Sequence, residues 1–184
     1  AALECPGSDA ETEISAIAMD SGRVTPGSLF ICIRGLHTDG HRFIREAVAK
    51  GAVAVLCETG RGPAPVTTLY SDNTRRACAR LYNAFWGNPA ASLNFIGVTG
   101  TNGKTTVTHM LRAILEASLY RTGLIGTVGC ESAGRHLAPL ERAPLSNMTT
   151  PDPPDLYRML REMADDGVEY VLMEVTSHAL ALGK

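Results

Sequence analysis

The apolar positions of this chain fall into short continuous runs that alternate with stripes at helical spacing. Ser28 to Ile33 (SLFICI) reads as a buried strand, introduced by the turn pair Pro26-Gly27 and closed by Gly35. Phe43, Ile44, Ala47 and Val48 recur at helical spacing between His41 and Lys50, Gly51 ends the pattern, and AVAVL (52–56) predicts the next buried strand. A weaker strand, Val66 to Tyr70, leads into a helix from Asp72 or Asn73 with the stripe Ala77, Cys78, Leu81, Ala84 and Phe85. Gly87-Asn88-Pro89 stops that helix, and a new apolar run follows GNPAAS at once. The spacing therefore predicts a domain boundary near Ser92 and two domains, 1–92 and 93–184.

In the second half a strand from Phe95 to Thr99 runs into a glycine-rich loop and then a helix with Val107, Met110, Leu111, Ile114 and Leu115 on one stripe. A short strand in GLIGTV follows, and Gly129 to Leu145 is irregular and polar, which predicts a hairpin with a loop. Pro153-Pro154 opens a helix with Leu156, Met159, Leu160, Met163 and Ala164 on one face, and YVLMEV (170–175) is the next buried strand. Glu174 follows its apolar residues Tyr170 to Met173 and is expected at or near the carboxyl edge of the sheet, where the glycine-rich loop also sits and where a carboxylate can bind magnesium. Alternation of this kind predicts an α/β fold: a small N-terminal α/β domain, then a phosphate-loop-type α/β domain with a mostly parallel sheet flanked by helices.

Composition narrows the partners. At 184 residues, 45% of them hydrophobic, the chain can bury one generous core or two small ones. A formal net charge of -2 excludes a surface matched as a whole to nucleic acid or anionic membrane, so an anionic ligand must be held locally. No apolar run approaches the roughly 20 residues that cross a bilayer, and no signal peptide is recognisable. The five cysteines are scattered without a CxxC pair or a histidine at zinc-finger spacing, so neither a disulfide scaffold nor a metal knuckle is expected. A reducing cytoplasm fits that usage. The start at Ala1 and the stop at Lys184, just past an apolar stretch, lead us to expect a piece of a longer polypeptide with the second domain incomplete.

The segment GVTGTNGKTT (97–106) stands between a predicted buried strand and an amphipathic helix, the context that phosphate binding requires. Glycines let backbone N–H groups turn toward one concavity, and the helix N-terminus adds positive potential there. Gly100, Thr101, Asn102, Gly103, Lys104, Thr105 and Thr106 are the candidate nucleotide-binding residues. Lys104 would reach the β and γ phosphates, and Thr105 would offer its hydroxyl to Mg2+. A lysine in a first helical turn opposes the helix dipole unless an anion is present. Five residues separate Gly97 from the Gly103-Lys104 pair, where the common phosphate loop has four.

GxxGTNGKT resembles the loop of the Mur ligases and of their relatives the folylpolyglutamate synthetases. MDSGRVTPGSLFICIRGLHTDGHRFIREAVAKGAVAVL is similar to the uridine-diphosphate domain of the MurE branch of that family, and MTTPDPPDLYRML with YVLMEVTSHAL is similar to its central domain. The resemblance implies a cytoplasmic, ATP- and Mg2+-dependent ligase of peptidoglycan precursor synthesis. In that reaction ATP phosphorylates the free carboxylate of UDP-N-acetylmuramoyl-L-alanyl-D-glutamate, and the amine of meso-diaminopimelate or L-lysine attacks the acyl phosphate. It also implies that Lys104, Glu174 and His178 are catalytic, and that Thr105, Glu174 and His178 hold magnesium. Met19, Ser21, Leu36, His37 and Thr38 match uridine-contacting positions, while Met148, Thr149, Thr150, Thr176 and Lys184 match positions that contact the rest of the substrate. Departures are Asp20-Ser21-Gly22 with Arg23 where the family reads DSR, Thr176 for Ser, and Lys184 for Arg. Two further readings stay open: a folylpolyglutamate synthetase, which leaves the first hundred residues without a counterpart, and a non-catalytic module that senses a UDP-sugar or ATP.

Overall fold

The computed structural model describes residues 12–35, 38–61, 64–138 and 149–182, without the side chains of 178, 181 and 182. The chain divides into two compact units, Ala1–Cys78 and Ala79–Lys184. The division falls inside one helix, whereas the glycine and proline punctuation places a boundary near Ser92.

The first unit is a four-stranded, all-parallel sheet in the order β1 (Ala16–Ala18), β2 (Ser28–Ile31), β3 (Ala52–Glu58), β4 (Thr67–Ser71). Its central strands are apolar on both faces, as parallel strands covered on both sides must be. Every residue of β2 is buried, and Ala54, Val55, Leu56 and Cys57 of β3 are each at most 1% exposed. The helical stripe after β2 resolves into a 3-10 turn, Gly40–Phe43, and helix α1 (Ile44–Ala49). The first turn is tighter than expected because the Asp39 carboxylate accepts from the His41 N–H at 3.0 Å and so caps it. Phe30, Val55, Ala47 and Ala18 belong to one core that extends to Val24 and Cys32. Helix α2 (Thr74–Phe85) follows, with Ala77 and Cys78 buried but Phe85 exposed.

The second unit is a five-stranded sheet in the order β5 (Asn94–Val98), β9 (Tyr170–Glu174), β6 (Thr122–Gly126), β7 (Gly129–Ser132), β8 (Arg135–His136). β5, β9 and β6 are parallel, and β7 and β8 add an antiparallel hairpin. Residues 139–148, part of the expected loop, lie outside the described residues. Helix α4 (Pro153–Asp165) buries Leu156, Met159, Leu160 and Met163 against Ile125 and Val171, as its stripe predicts. Helix α3 (Lys104–Ala117) departs from expectation. Val107, Met110 and Ile114 are 43%, 60% and 62% exposed, and the fully buried position is Thr108. Its hydroxyl donates to the Lys104 and Thr105 carbonyls at 3.1 and 2.9 Å, so a polar side chain is buried at the helix start without an unpaired group. Among the described residues no helix is long and apolar enough to cross a membrane.

Several carboxylates in these units are held below their ordinary range. The His41 ring lowers Asp39, Arg112 and then Thr122 lower Glu116, and the Ser132 hydroxyl with Arg135 lowers Asp166. A carboxyl whose folded pKa lies below its unfolded value of about 4 adds stability above that pH and loses it as pH falls through the folded value. The urea midpoint is therefore expected to hold down to about pH 5 and to fall toward about pH 3. Asp166→Asn is expected to lower the midpoint at neutral pH and to flatten the decline. An equal decline in wild type and variant would show that Asp166 contributes nothing to it.

Candidate functional site

Three parallel strands end side by side, and the site is built on their ends. The register pairs Val98 of β5 with Glu174 of β9, and Ile125 of β6 with Met173. Gly126 therefore lies at the level of Glu174 on the other side. β5 runs directly into the glycine loop and α3, which brings the loop, Glu174 and the end of β6 to one sheet edge. Ligands of open α/β sheets collect at this edge, beyond the carboxyl ends of the strands.

Gly100 to Gly103 are exposed, and Gly103 caps α3 with φ at 78°, a left-handed conformation that glycine adopts without strain. The open N–H groups of the first turn of α3 face this loop, as at any helix start. The Lys104 ammonium reaches back across the loop and donates to the Gly100 carbonyl at 2.7 Å. The Thr105 hydroxyl donates to Glu174 Oε1 at 3.0 Å. The placement expected from the sequence, a strand-end carboxylate beside the hydroxyl of the loop, is thus the arrangement observed.

Glu174 is only 2% exposed. Besides Thr105, its Oε1 accepts from the Thr127 N–H at 3.1 Å and its Oε2 from the Thr127 hydroxyl at 3.1 Å. That hydroxyl shares its proton with Thr149 Oγ1, also at 3.1 Å. The Thr150 hydroxyl, 3% exposed, donates to the Glu174 carbonyl at 3.2 Å. Among the described residues no Lys, Arg or His pairs with Glu174. A buried carboxylate with hydroxyl and amide partners but no cation is costly, and a cation bound there relieves that cost. A hydroxyl and a carboxylate oxygen meeting at one point form a hard, all-oxygen donor set, which fits Mg2+.

Thr127 and Gly126 carry no signal of a role in the sequence. A Cβ at Gly126 would lie 2.3 Å from Glu174 Oε1, so glycine leaves the space that the carboxylate fills. Short GT pairs are too common to mark this alone, and only the register of β6 against β9 shows it. Thr127→Val keeps the shape and removes the hydroxyl bond. If the complete polypeptide turns over nucleotide at this site, the change is expected to lower that rate by roughly 10-fold, on the order of one hydrogen bond to a charged group, while leaving nucleotide affinity within about 3-fold. Turnover equal to wild type would show that Thr127 does not position the carboxylate.

The structure brings Thr105, Glu174, Thr149 and Thr150 together. Thr176 accepts from the Ala179 N–H at 3.1 Å and so caps helix α5 (Ser177–Leu182). His178 lies in the first turn of α5, and its side chain is outside the described atoms. Met148 and Lys184 also lie outside the described residues, as do Leu36 and His37 in the first unit. There, Met19 and Ser21 follow β1, and Thr38 follows β2, at the same edge of the sheet. Met19 Sδ accepts from the Cys78 thiol at 3.6 Å. The Ser21 carbonyl accepts from Lys50 at 2.9 Å, and Lys50 with the Ser21 hydroxyl holds the Glu46 carboxyl below its usual range. Thr38 is exposed, and its carbonyl accepts from the Gly35 N–H at 2.8 Å.

A strand, glycine loop and helix with a hydroxyl and a buried carboxylate at the loop mouth define an α/β phosphate-binding domain. Similarity to known proteins carries this further. Residues 13–86 match the Mur ligase family catalytic domain, and residues 98–184 match the Mur ligase middle domain. The chain belongs to the Mur ligase family. It is 45% identical over 172 residues to UDP-N-acetylmuramoyl-L-alanyl-D-glutamate--2,6-diaminopimelate ligase of Geobacillus thermodenitrificans, covering 94% of this chain and 34% of that protein. With the Chlorobaculum tepidum protein of the same name it shares 45% identity over 182 residues, 97% of this chain and 34% of the relative. A solved structure of a UDP-N-acetylmuramoyl-L-alanyl-D-glutamate--2,6-diaminopimelate ligase superposes with a TM-score of 0.71 at 26% identity, covering 92% of this chain and 33% of that one. The chain spans about a third of the length of the curated relatives it matches.

Proposed function

We propose that this chain supplies the uridine-nucleotide and ATP sites of an ATP-dependent amide ligase that extends UDP-N-acetylmuramoyl-L-alanyl-D-glutamate by 2,6-diaminopimelate. The observation that carries the reading is the contact of Thr105 with the buried Glu174 at the mouth of the glycine loop, a carboxylate that pairs with no Lys, Arg or His among the described residues. The names of relatives at 45% identity favour diaminopimelate over lysine.

Thr105 and Glu174 would hold Mg2+, which supplies charge neutralisation at the transferred phosphoryl group when bound. Lys104 leaves the Gly100 carbonyl and pairs with the β and γ phosphates, and the loop N–H groups fix their position. Phosphoryl transfer asks a protein chiefly for positioning and neutralisation, which these groups provide. The γ-phosphoryl group passes to the D-glutamate carboxylate as ADP leaves, and the incoming amine then displaces phosphate to form the amide. Thr127 and Gly126 keep the Glu174 carboxylate in place. Thr149, Thr150 and Thr176, with Met148 and Lys184, are assigned to the muramoyl-peptide end. Met19, Ser21, Leu36, His37 and Thr38 are assigned to the uridine end, and His178 to a second cation. A cytoplasmic site of action follows from the nucleotide substrates.

The test is ADP formation by the complete polypeptide with the UDP-dipeptide and either diaminopimelate or lysine. ADP and a tripeptide product are expected with diaminopimelate and little of either with lysine. Binding of ATP and the UDP-dipeptide with no ADP formed under any of these conditions would overturn the reading in favour of a non-catalytic nucleotide-sensing module.

A further inference from the structure

We propose that Cys32, Cys57 and His41 form a binding site for a thiophilic d10 cation, with Zn2+ as the probe. The inference stands apart from the proposed ligase activity and concerns the first unit alone. Cys32 immediately follows β2 and Cys57 belongs to β3, in neighbouring positions because Ile31 pairs with Leu56 and the Cys32 N–H donates to the Leu56 carbonyl at 2.9 Å. The parallel register places two residues that are 25 apart in sequence side by side, which is why their spacing along the chain gives no sign of them. The 3-10 turn after β2 adds His41. One ligand atom from each of the three residues lies within 4.8 Å of the others.

The surroundings favour binding of a cation over plain core packing. Both thiols are fully buried, and the His41 side chain is 6% exposed. Asp39 Oδ1 accepts from His41 Nδ1 at 2.6 Å, and Arg61 holds Asp39 Oδ2 at 2.8 Å. A carboxylate on Nδ1 fixes the proton there and leaves the Nε2 lone pair as the ligand, the arrangement found behind metal-bound histidines. Nε2 here accepts from the Glu58 N–H at 3.0 Å, so binding exchanges one neutral hydrogen bond for three metal–ligand bonds. Two thiolates and a neutral imidazole around Zn2+ carry no net charge, which a buried site can hold. The thiols give up two protons to solvent on binding, so affinity falls with falling pH. The bound cation would tie the end of β2, β3 and the turn Gly40–Phe43 together.

The test uses the whole 184-residue chain, refolded under reducing conditions with and without Zn2+ and then freed of loose metal. One zinc per chain is expected, with an X-ray absorption shell of two sulfurs at about 2.3 Å and one imidazole nitrogen at about 2.0 Å. That shell is read on the wild type and does not depend on any variant folding. Cys32→Ser and Cys57→Ser are each expected to lower retained zinc at least about 10-fold, and Cys130→Ser to leave it unchanged. No retained zinc in the folded wild type would overturn the site. So would a shell of oxygen and nitrogen alone, or zinc retained by the double Cys32→Ser, Cys57→Ser variant.

Discussion

Glu174→Gln in the complete polypeptide is expected to lower turnover by roughly 10²–10³-fold, the usual cost of losing one preorganised electrostatic partner of a transition state. The substitution keeps the volume of a side chain that is 2% exposed, so the core around it need not repack. The hydrogen-bond balance changes, because the Thr105 and Thr127 groups now donate to two carboxylate oxygens. An amide offers one acceptor and brings two donors. An amide oxygen in the place of Oε1 can retain both the Thr127 N–H and the Thr105 hydroxyl, and the Thr127 hydroxyl can rotate to accept from the amide nitrogen in the place of Oε2. The fold should therefore survive while the charge is lost. Affinity for the UDP-dipeptide should fall far less than turnover, because the residues assigned to its uridine end lie in the first unit and are not altered. Steady-state ADP release at saturating magnesium measures the effect, and a rate near wild type would make Glu174 structural.

Lys104→Ala is expected to weaken ATP binding by at least about 100-fold, equivalent to about 2.7 kcal/mol, because it removes the ammonium seated on the glycine loop. The same change should not weaken the unliganded fold. Lys104 opens α3, where a cation opposes the helix dipole by about 0.3–1 kcal/mol, and its ammonium is tied to the loop through the Gly100 carbonyl. Loss of affinity with an unchanged or slightly raised melting temperature would separate a binding role from a structural one. Calorimetric titration of Mg-ATP into the two proteins measures it, and equal affinities would remove Lys104 from the site.

Much of the second unit was legible in the sequence because its signals are local. The α4 stripe, with Met159 and Met163 four residues apart, reports its buried face directly, and the loop between an apolar run and a helix marks its own position. Glu174 was legible for the same reason, since a carboxylate ending a buried strand must emerge at the sheet edge. The α3 stripe misled, because periodicity identifies an apolar face without showing that anything covers it. Val107, Met110 and Ile114 are exposed, while Thr108 takes the buried position. Register was the other blind spot. The fit of Gly126 against Glu174, and the meeting of Cys32, Cys57 and His41, depend on which strands become neighbours. A β9 inserted between β5 and β6 is not written in the order of the chain.

Whether ATP activates a substrate carboxylate, the step on which the proposed ligase reaction rests, is read out by oxygen transfer. The UDP-dipeptide is labelled with 18O in both carboxylates of its terminal D-glutamate and turned over by the complete polypeptide with diaminopimelate, and the phosphate released is analysed by mass spectrometry. Each phosphate is expected to carry one labelled oxygen, because the carboxylate oxygen that attacks the γ-phosphorus leaves with it when the amine displaces the acyl phosphate. Unlabelled phosphate formed alongside the amide product would contradict activation through an acyl phosphate.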